Sequence, residues 1–168
     1  AAFAAAALMV LTRCIRASNA RRSVDWQVLL VIAASIALGG ALEKTGGAAV
    51  IAEGIIGASM GSALATLAAV FVVTAVFSAV ISNLAAAVIV FPIALAASQQ
   101  LDASLLPFAV TVMMAASASF ATPIGYQTNL MVYGPGDYRF VDFVKIGLPL
   151  TVLVGLTTIA VVPLVWPL

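Results

Sequence analysis

The chain has 168 residues, 64% of them hydrophobic and 8% charged, with 7 Lys/Arg against 6 Asp/Glu and a formal net charge of +1. Soluble domains run at about 45–50% apolar and about 25% charged, so composition excludes a cytosolic globular domain, as does the mean hydropathy of +1.23. The near-neutral charge without a basic stripe excludes a nucleic-acid binder, a single cysteine (Cys14) excludes an internal disulfide, and no His with one Cys argues against a zinc site.

The expected solvent is therefore the lipid bilayer. Ala1–Leu11 is apolar but covers only about 16 Å at about 1.5 Å per residue, roughly half a bilayer core. No basic segment precedes it, so it does not read as a signal peptide. The simplest expectation is the end of a helix begun upstream, in a longer protein. Arg13, Arg16, Arg21, Arg22 and Asp25 then share one polar loop. Trp26–Leu42 can span, with Trp26 as interfacial anchor. Gly46–Ser59 is short and Gly-rich, carries Glu53, and reads as an interfacial helix or a tight connection. Ser62–Ile81 predicts a full-length helix. Leu84–Ser98, at roughly 15 residues, is too short to span comfortably. Ser104–Ala121 predicts another helix, and Gln127–Tyr133 a fragment of about two turns. Ile146–Trp166 is a last span, with Pro149 in its first turn and Pro163 near its end.

Basic residues favour the cytoplasmic side, which places the Arg13–Arg22 loop inside and sends Trp26–Leu42 outward. Ser82-Asn83 joins its two flanking segments too tightly for separate crossings with a solvated loop. A re-entrant hairpin fits better, entering from outside and returning to Gln99-Gln100. Ser104 onward then runs inward to Asp137–Lys145, and the last span places Leu168 outside.

Two polar breaks fall at membrane depth, Ser82-Asn83 and Thr122–Asn129. Irregular backbone survives there only where protein buries it or it lines a cavity. Pro123 removes a donor and Gly125 loosens the chain, so the helix breaks. Each break alone fits a turn with a cap, or a kink packed on its neighbours. Together they fit a transporter site, where half-helix N-termini favour anions and freed carbonyls bind Na⁺. Ser82 and Asn83 sit where an N-cap would sit, and Thr128 or Asn129 could play that part after the second break. Amides and dipoles need no buried charge.

The run from Ser117 through Thr122-Pro123-Ile124-Gly125-Tyr126-Gln127-Thr128-Asn129 to Phe140, and the stretch Trp26–Gly46 ending Ala41-Leu-Glu-Lys-Thr-Gly46, carry a family likeness. The chain resembles the divalent anion:sodium symporters of the ion-transporter superfamily, which includes citrate-transporter-like permeases. It looks most like the bacterial permeases with TrkA-C-type regulatory domains. The resemblance implies an all-α polytopic membrane protein, built of inverted repeats, in which this chain is most of the second repeat. It implies scaffold helices and an interfacial arm in residues 1–59. Residues 60–168 would hold a transport domain of hairpin, discontinuous helix and last span. The missing N-terminal half would supply the mirrored site. Members are homodimers in the plasma membrane that move the transport domain in elevator fashion.

The resemblance also assigns roles. The family's Ser-Asn-Thr motif falls on Ser82-Asn83-Leu84, with Ser82 and Asn83 on the oxygens of a small anionic substrate. Thr122 and Pro123 would border that substrate. The coupling ion Na⁺ would lie among Ser78, Ile81, Asn83, Ala121 and Pro123, and Gly125, Thr128 and Asn129 are further contacts. Leu84 departs from the pattern by replacing a hydroxyl, so a sulfate-like oxyanion is as plausible as a di- or tricarboxylate.

Other features read more simply. Gly134-Pro-Gly-Asp137 carries a Gly-x-Gly-Asp string, but an aspartyl protease needs a second carboxylate, and an interfacial turn fits better. Gly57–Gly61 spells GxxxG in a connecting region, where turn chemistry outweighs a dimer face. Asp102 reads as a loop acid, Glu53 as interfacial, Cys14 as a reduced bystander, and Met113 and Met114 as helix packing. The expectation is a transporter, not an enzyme. A Na⁺/H⁺ antiporter would need a titratable membrane carboxylate, and none lies in Ser62–Ile81 or Ser104–Ala121. A Na⁺/H⁺ antiporter of the same superfamily, with that carboxylate supplied by the missing half, and a non-transporting scaffold module are the alternatives.

Overall fold

A computed structural model describes residues 2–12, 14–16, 18–19 and 26–168. Arg13, Arg21, Arg22 and Asp25 of the basic loop lie outside the described residues. Two compact units are present, Ala1–Ala33 and Ala34–Leu168. The first holds α1 (Ala2–Leu11) and the start of α2 (Trp26–Lys44). The second holds the rest of α2, α3 (Gly47–Ala58), α4 (Ala63–Val80), α5 (Asn83–Gln100), α6 (Leu105–Ser117), α7 (Gln127–Tyr133) and α8 (Phe140–Val165). The fold is all-α, with no strand among the described residues.

The core is built from stripes. α4 buries Thr66, Leu67, Val70, Phe71, Thr74, Ala75 and Ser78. α6 buries Pro107, Phe108, Thr111, Val112, Ala115 and Ala116. Both repeat at helical spacing, so each helix turns one face inward. Leu67, Val70, Val90, Ile93, Phe108 and Val112 form one cluster with Ala48 and Ala52 of α3, while Phe71, Ala75 and Ala115 form a second. Alanines make up most of the second cluster and recur in the first, which lets helix backbones approach closely. The α6 stripe leaves Met113 and Met114 63% and 44% exposed, on the opposite face.

Among the described residues, α4, α5 and α8 are long and apolar enough to cross a membrane. α5 is longer than the sequence suggested. Its 18 residues give about 27 Å at about 1.5 Å per residue. It gains length at the N-terminus because Ser82 caps it, and at the C-terminus because Gln99 and Gln100 are good helix formers. Gln100 Nε2 also donates to Ala49 O at 3.3 Å. α8 starts at Phe140 rather than Ile146, since Asp142 accepts from the Arg139 N–H at 2.9 Å and closes the first turn. α6 ends at Ser117 rather than Ala121, for reasons that belong to the site.

The connecting turns take positive φ. Gly61 takes φ 73° and Met60 φ 53° in the turn after α3, and Asp102 and Asp137 each take φ 51°. Glu53, Asp102, Asp137 and Cys14 are exposed.

Candidate functional site

α4 and α5 are joined by two extended residues. Ile81 (φ −113°, ψ −174°) leaves α4 with its N–H still bonded to Phe77 O at 2.8 Å. Ser82 (φ −73°, ψ 151°) caps α5, its Oγ accepting the Ala85 N–H at 3.3 Å. Asn83 is then the first residue of α5, with its side chain folded back toward Ser78 in the last turn of α4. The stripe that buries Leu67 and Val70 also buries Ser78, which is 0% exposed.

The second break opens at Ala118 (φ −85°, ψ 38°) and runs to Tyr126. Backbone groups freed here must find new partners, and side chains supply them. Thr151 Oγ1 of α8 lies 3.0 Å from Ala118 O and 2.9 Å from Gly147 O. Asn129 Nδ2 of α7 lies 3.3 Å from Ser119 O and 3.1 Å from Thr122 O. Thr122 Oγ1 accepts the Gly125 N–H at 3.2 Å and donates to Ala79 O on the hairpin. α6 stops early because these partners reward the irregular backbone from Ala118 onward.

Hairpin tip and break meet in one buried polar cluster. Ser78 Oγ donates to Ala116 O, and Ser119 Oγ donates to Ser78 O at 3.1 Å. The inward end of the Asn83 carboxamide lies 2.9 Å from Ser78 Oγ, 3.0 Å from Gly125 O, and 3.1 Å from Ala116 O and Ser119 Oγ. Two glycines make the approach sterically feasible. A Cβ on Gly125 would fall against Ser78 O and 2.7 Å from Ser119 Oγ. A Cβ on Gly147 of α8 would collide with the Phe120 carbonyl, inside the break.

Of the residues singled out from sequence, the structure joins Ser78, Asn83 and Gly125 directly, and ties in Thr122 and Asn129 through the break. Among the described residues, Ile81, Ala121 and Pro123 contribute no hydrogen bond to the cluster; Pro123 is buried and the other two half-buried. Ser82 and Thr128 are exposed, and Leu84 is 47% exposed at the start of α5. Sequence reasoning did not single out Ser119, the Ala116 carbonyl, Gly147 or Thr151. Ser119 had a signal, as a small polar residue just before the Thr-Pro-Ile-Gly string. Ala116 had none, because it acts through its carbonyl. A cleft of about 610 Å³ adjoins the break, lined by Phe120, Asn129, Tyr138, Asp142, Gly147 and Leu150.

The cluster is uncharged, and its inward atoms apart from the Asn83 amide are oxygens. Such a set can accept from an amide N–H, or ligate an alkali cation once the amide turns its oxygen inward. Beside it, the first N–H groups of α5, at Asn83 and Leu84, have no helical partner and point outward from the helix end.

Comparison with known proteins adds the following. The family model described as CitMHS, citrate transporter, matches residues 1–167. The uncharacterized transporter YfbS of Escherichia coli (strain K12) is 42% identical over 99% of this chain. The probable sodium/sulfate cotransporter 3 of Chlamydomonas reinhardtii is 44% identical over 89% of the chain, and sodium/sulfate cotransporter 1 of the same alga is 42% identical over 88%. The chain spans 28% of the bacterial relative's length and 17% of each algal one.

Proposed function

The chain belongs to the citrate transporter family, and we propose that it forms one half of the substrate site of a Na⁺-coupled anion transporter. The observation that carries this reading is the cluster of Ser78, Asn83, Ser119, Ala116 O and Gly125 O. It joins a helix N-terminus and an unwound segment, which is how transporters hold an anion and a cation together. The Na⁺ is cargo, held by neutral oxygens of Ser78, Asn83 and the 116–125 backbone. The anion lies outside Ser82 and Asn83, on the free N–H groups of α5, where the helix dipole favours negative charge.

A sulfate-like oxyanion fits this half better than a dicarboxylate. Leu84 offers no hydroxyl for a second carboxylate, and two relatives bear the name sodium/sulfate cotransporter. In this reading residues 60–168 are the moving part and residues 1–59 the scaffold and arm, in a homodimeric plasma-membrane elevator. The hairpin tip is re-entrant, the Arg13–Arg22 loop is cytoplasmic and Leu168 is outside. The mirrored half of the cavity comes from the rest of the transporter.

The full-length protein in proteoliposomes tests the reading. Uptake of radiolabelled sulfate should require an inward Na⁺ gradient and be lost in Asn83→Ala. Equal uptake on a proton gradient without Na⁺ would remove the coupling, and full activity of Asn83→Ala would remove the site.

A further inference from the structure

We propose that the Asn83 carboxamide is a rotor through which the cation sets the affinity for the anion, an inference that rests on the transport-site reading above. The nitrogen and oxygen of a carboxamide are told apart by their partners. The inward atom of Asn83 faces Ala116 O, Gly125 O, Ser78 Oγ and Ser119 Oγ. The first two are carbonyls. The two hydroxyls can donate to an inward Asn83 oxygen at 2.9 and 3.1 Å, or to Ala116 O and Ser78 O. An inward oxygen would still face two carbonyls that can only accept, so without a cation the nitrogen belongs inward. Its N–H bonds tie the hairpin to both sides of the break.

The outward end makes no hydrogen bond with a described residue, and Asn83 is half-buried. With nitrogen inward, that end is the carbonyl oxygen, beside the free N–H groups at the start of α5.

A cation and an amide nitrogen cannot share the inward position, because both direct positive charge at the same oxygens. Na⁺ needs Oδ1 there as a ligand, so it requires the carboxamide to turn over. The turn reverses what the outer end offers. With Nδ2 inward, Oδ1 points out and repels an anion. With Oδ1 inward on the cation, Nδ2 points out and donates alongside the N–H groups of α5. The cation thus raises anion affinity through one side chain, and by linkage the anion raises cation affinity by the same factor. Aspartate at this position presents acceptors at both ends. It keeps the cation ligand and removes the outward donor.

The test uses full-length protein in detergent, with radiolabelled Na⁺ and radiolabelled sulfate or succinate bound separately. The Asn83 side-chain amide is followed by NMR, assigned by its loss in Asn83→Asp. Na⁺ alone should shift this amide signal and speed its exchange with solvent. Asn83→Asp should retain Na⁺ binding and lose anion affinity by at least about tenfold. A wild-type protein that binds no Na⁺ overturns the transport-site reading and the rotor with it. Na⁺-dependent anion binding with an amide signal that Na⁺ alone leaves unmoved overturns the rotor while the site stands. Wild-type anion affinity in Asn83→Asp does the same. Should that variant fail to fold, Asn83→Ser supplies the assignment and the wild-type amide signal decides.

Discussion

The Ser119 hydroxyl donates to the Ser78 carbonyl at 3.1 Å, bonding the end of α4 to the break after α6. It is 3% exposed, so water does not replace it when it is lost. Leaving a buried acceptor unpaired costs about 1–3 kcal/mol. Ser119→Ala should lower stability by that amount. It should also raise the half-saturating Na⁺ concentration by about tenfold, the equivalent of about 1.4 kcal/mol. Thermal unfolding in detergent and Na⁺ titration of sulfate uptake check the two effects. A variant with wild-type Na⁺ dependence would show that this bond does not shape the cation site.

Gly147 of α8 touches the break without touching the cluster. Its added Cβ would meet the Phe120 carbonyl, which is backbone and cannot swing aside. Overpacking of this kind costs about 1–3 kcal/mol. Gly147→Ala should reduce uptake and leave Gly54→Ala, where nothing lies within 4 Å, as the active control. Equal uptake by the two variants would show that α8 does not set the break.

Thr111 supplies a test of the core. Its Oγ1 is buried without a hydrogen-bond partner among the described residues, whereas Thr74 bonds back to Val70 O at 2.7 Å. Thr111→Val keeps the shape and removes the unmet hydroxyl. It should raise stability by about 1 kcal/mol, and thermal unfolding should show the midpoint rise. Thr74→Val, which removes a made bond, should not.

Leu84 tests specificity. At the first turn of α5 and 47% exposed, it can be replaced without disturbing the core. Leu84→Thr should make succinate a better competitor of sulfate uptake, by about tenfold for a contact of about 1.4 kcal/mol. Unchanged competition would place the second carboxylate elsewhere in the full transporter.

Much was legible in the sequence because it is local. Composition set the solvent. Runs of apolar residues between charges located the helices, since helix formation in lipid needs only that each segment satisfy its own backbone. Ser82-Asn83 and Thr122–Asn129 stood out because polar residues and Pro interrupt those runs. Helix ends were less legible. Ser82 as cap lengthened α5 at Asn83, Asp142 drew α8 back to Phe140, and partners on α7 and α8 stopped α6 at Ser117.

What only the tertiary structure decided was which breaks meet. Ser78 and Ser119 are neighbours because the α4 and α6 stripes pack face to face, and no periodicity announces that. The Ala116 and Gly125 carbonyls enter the cluster as backbone, which leaves no mark on residue identity. Gly147 and Thr151 looked like an ordinary span until α8 lay against the break. Sequence determined where the chain stops being a helix. Packing determined what the freed oxygens face, because hydrogen bonds at the break are made across tens of residues and depend on how small side chains let the backbones approach.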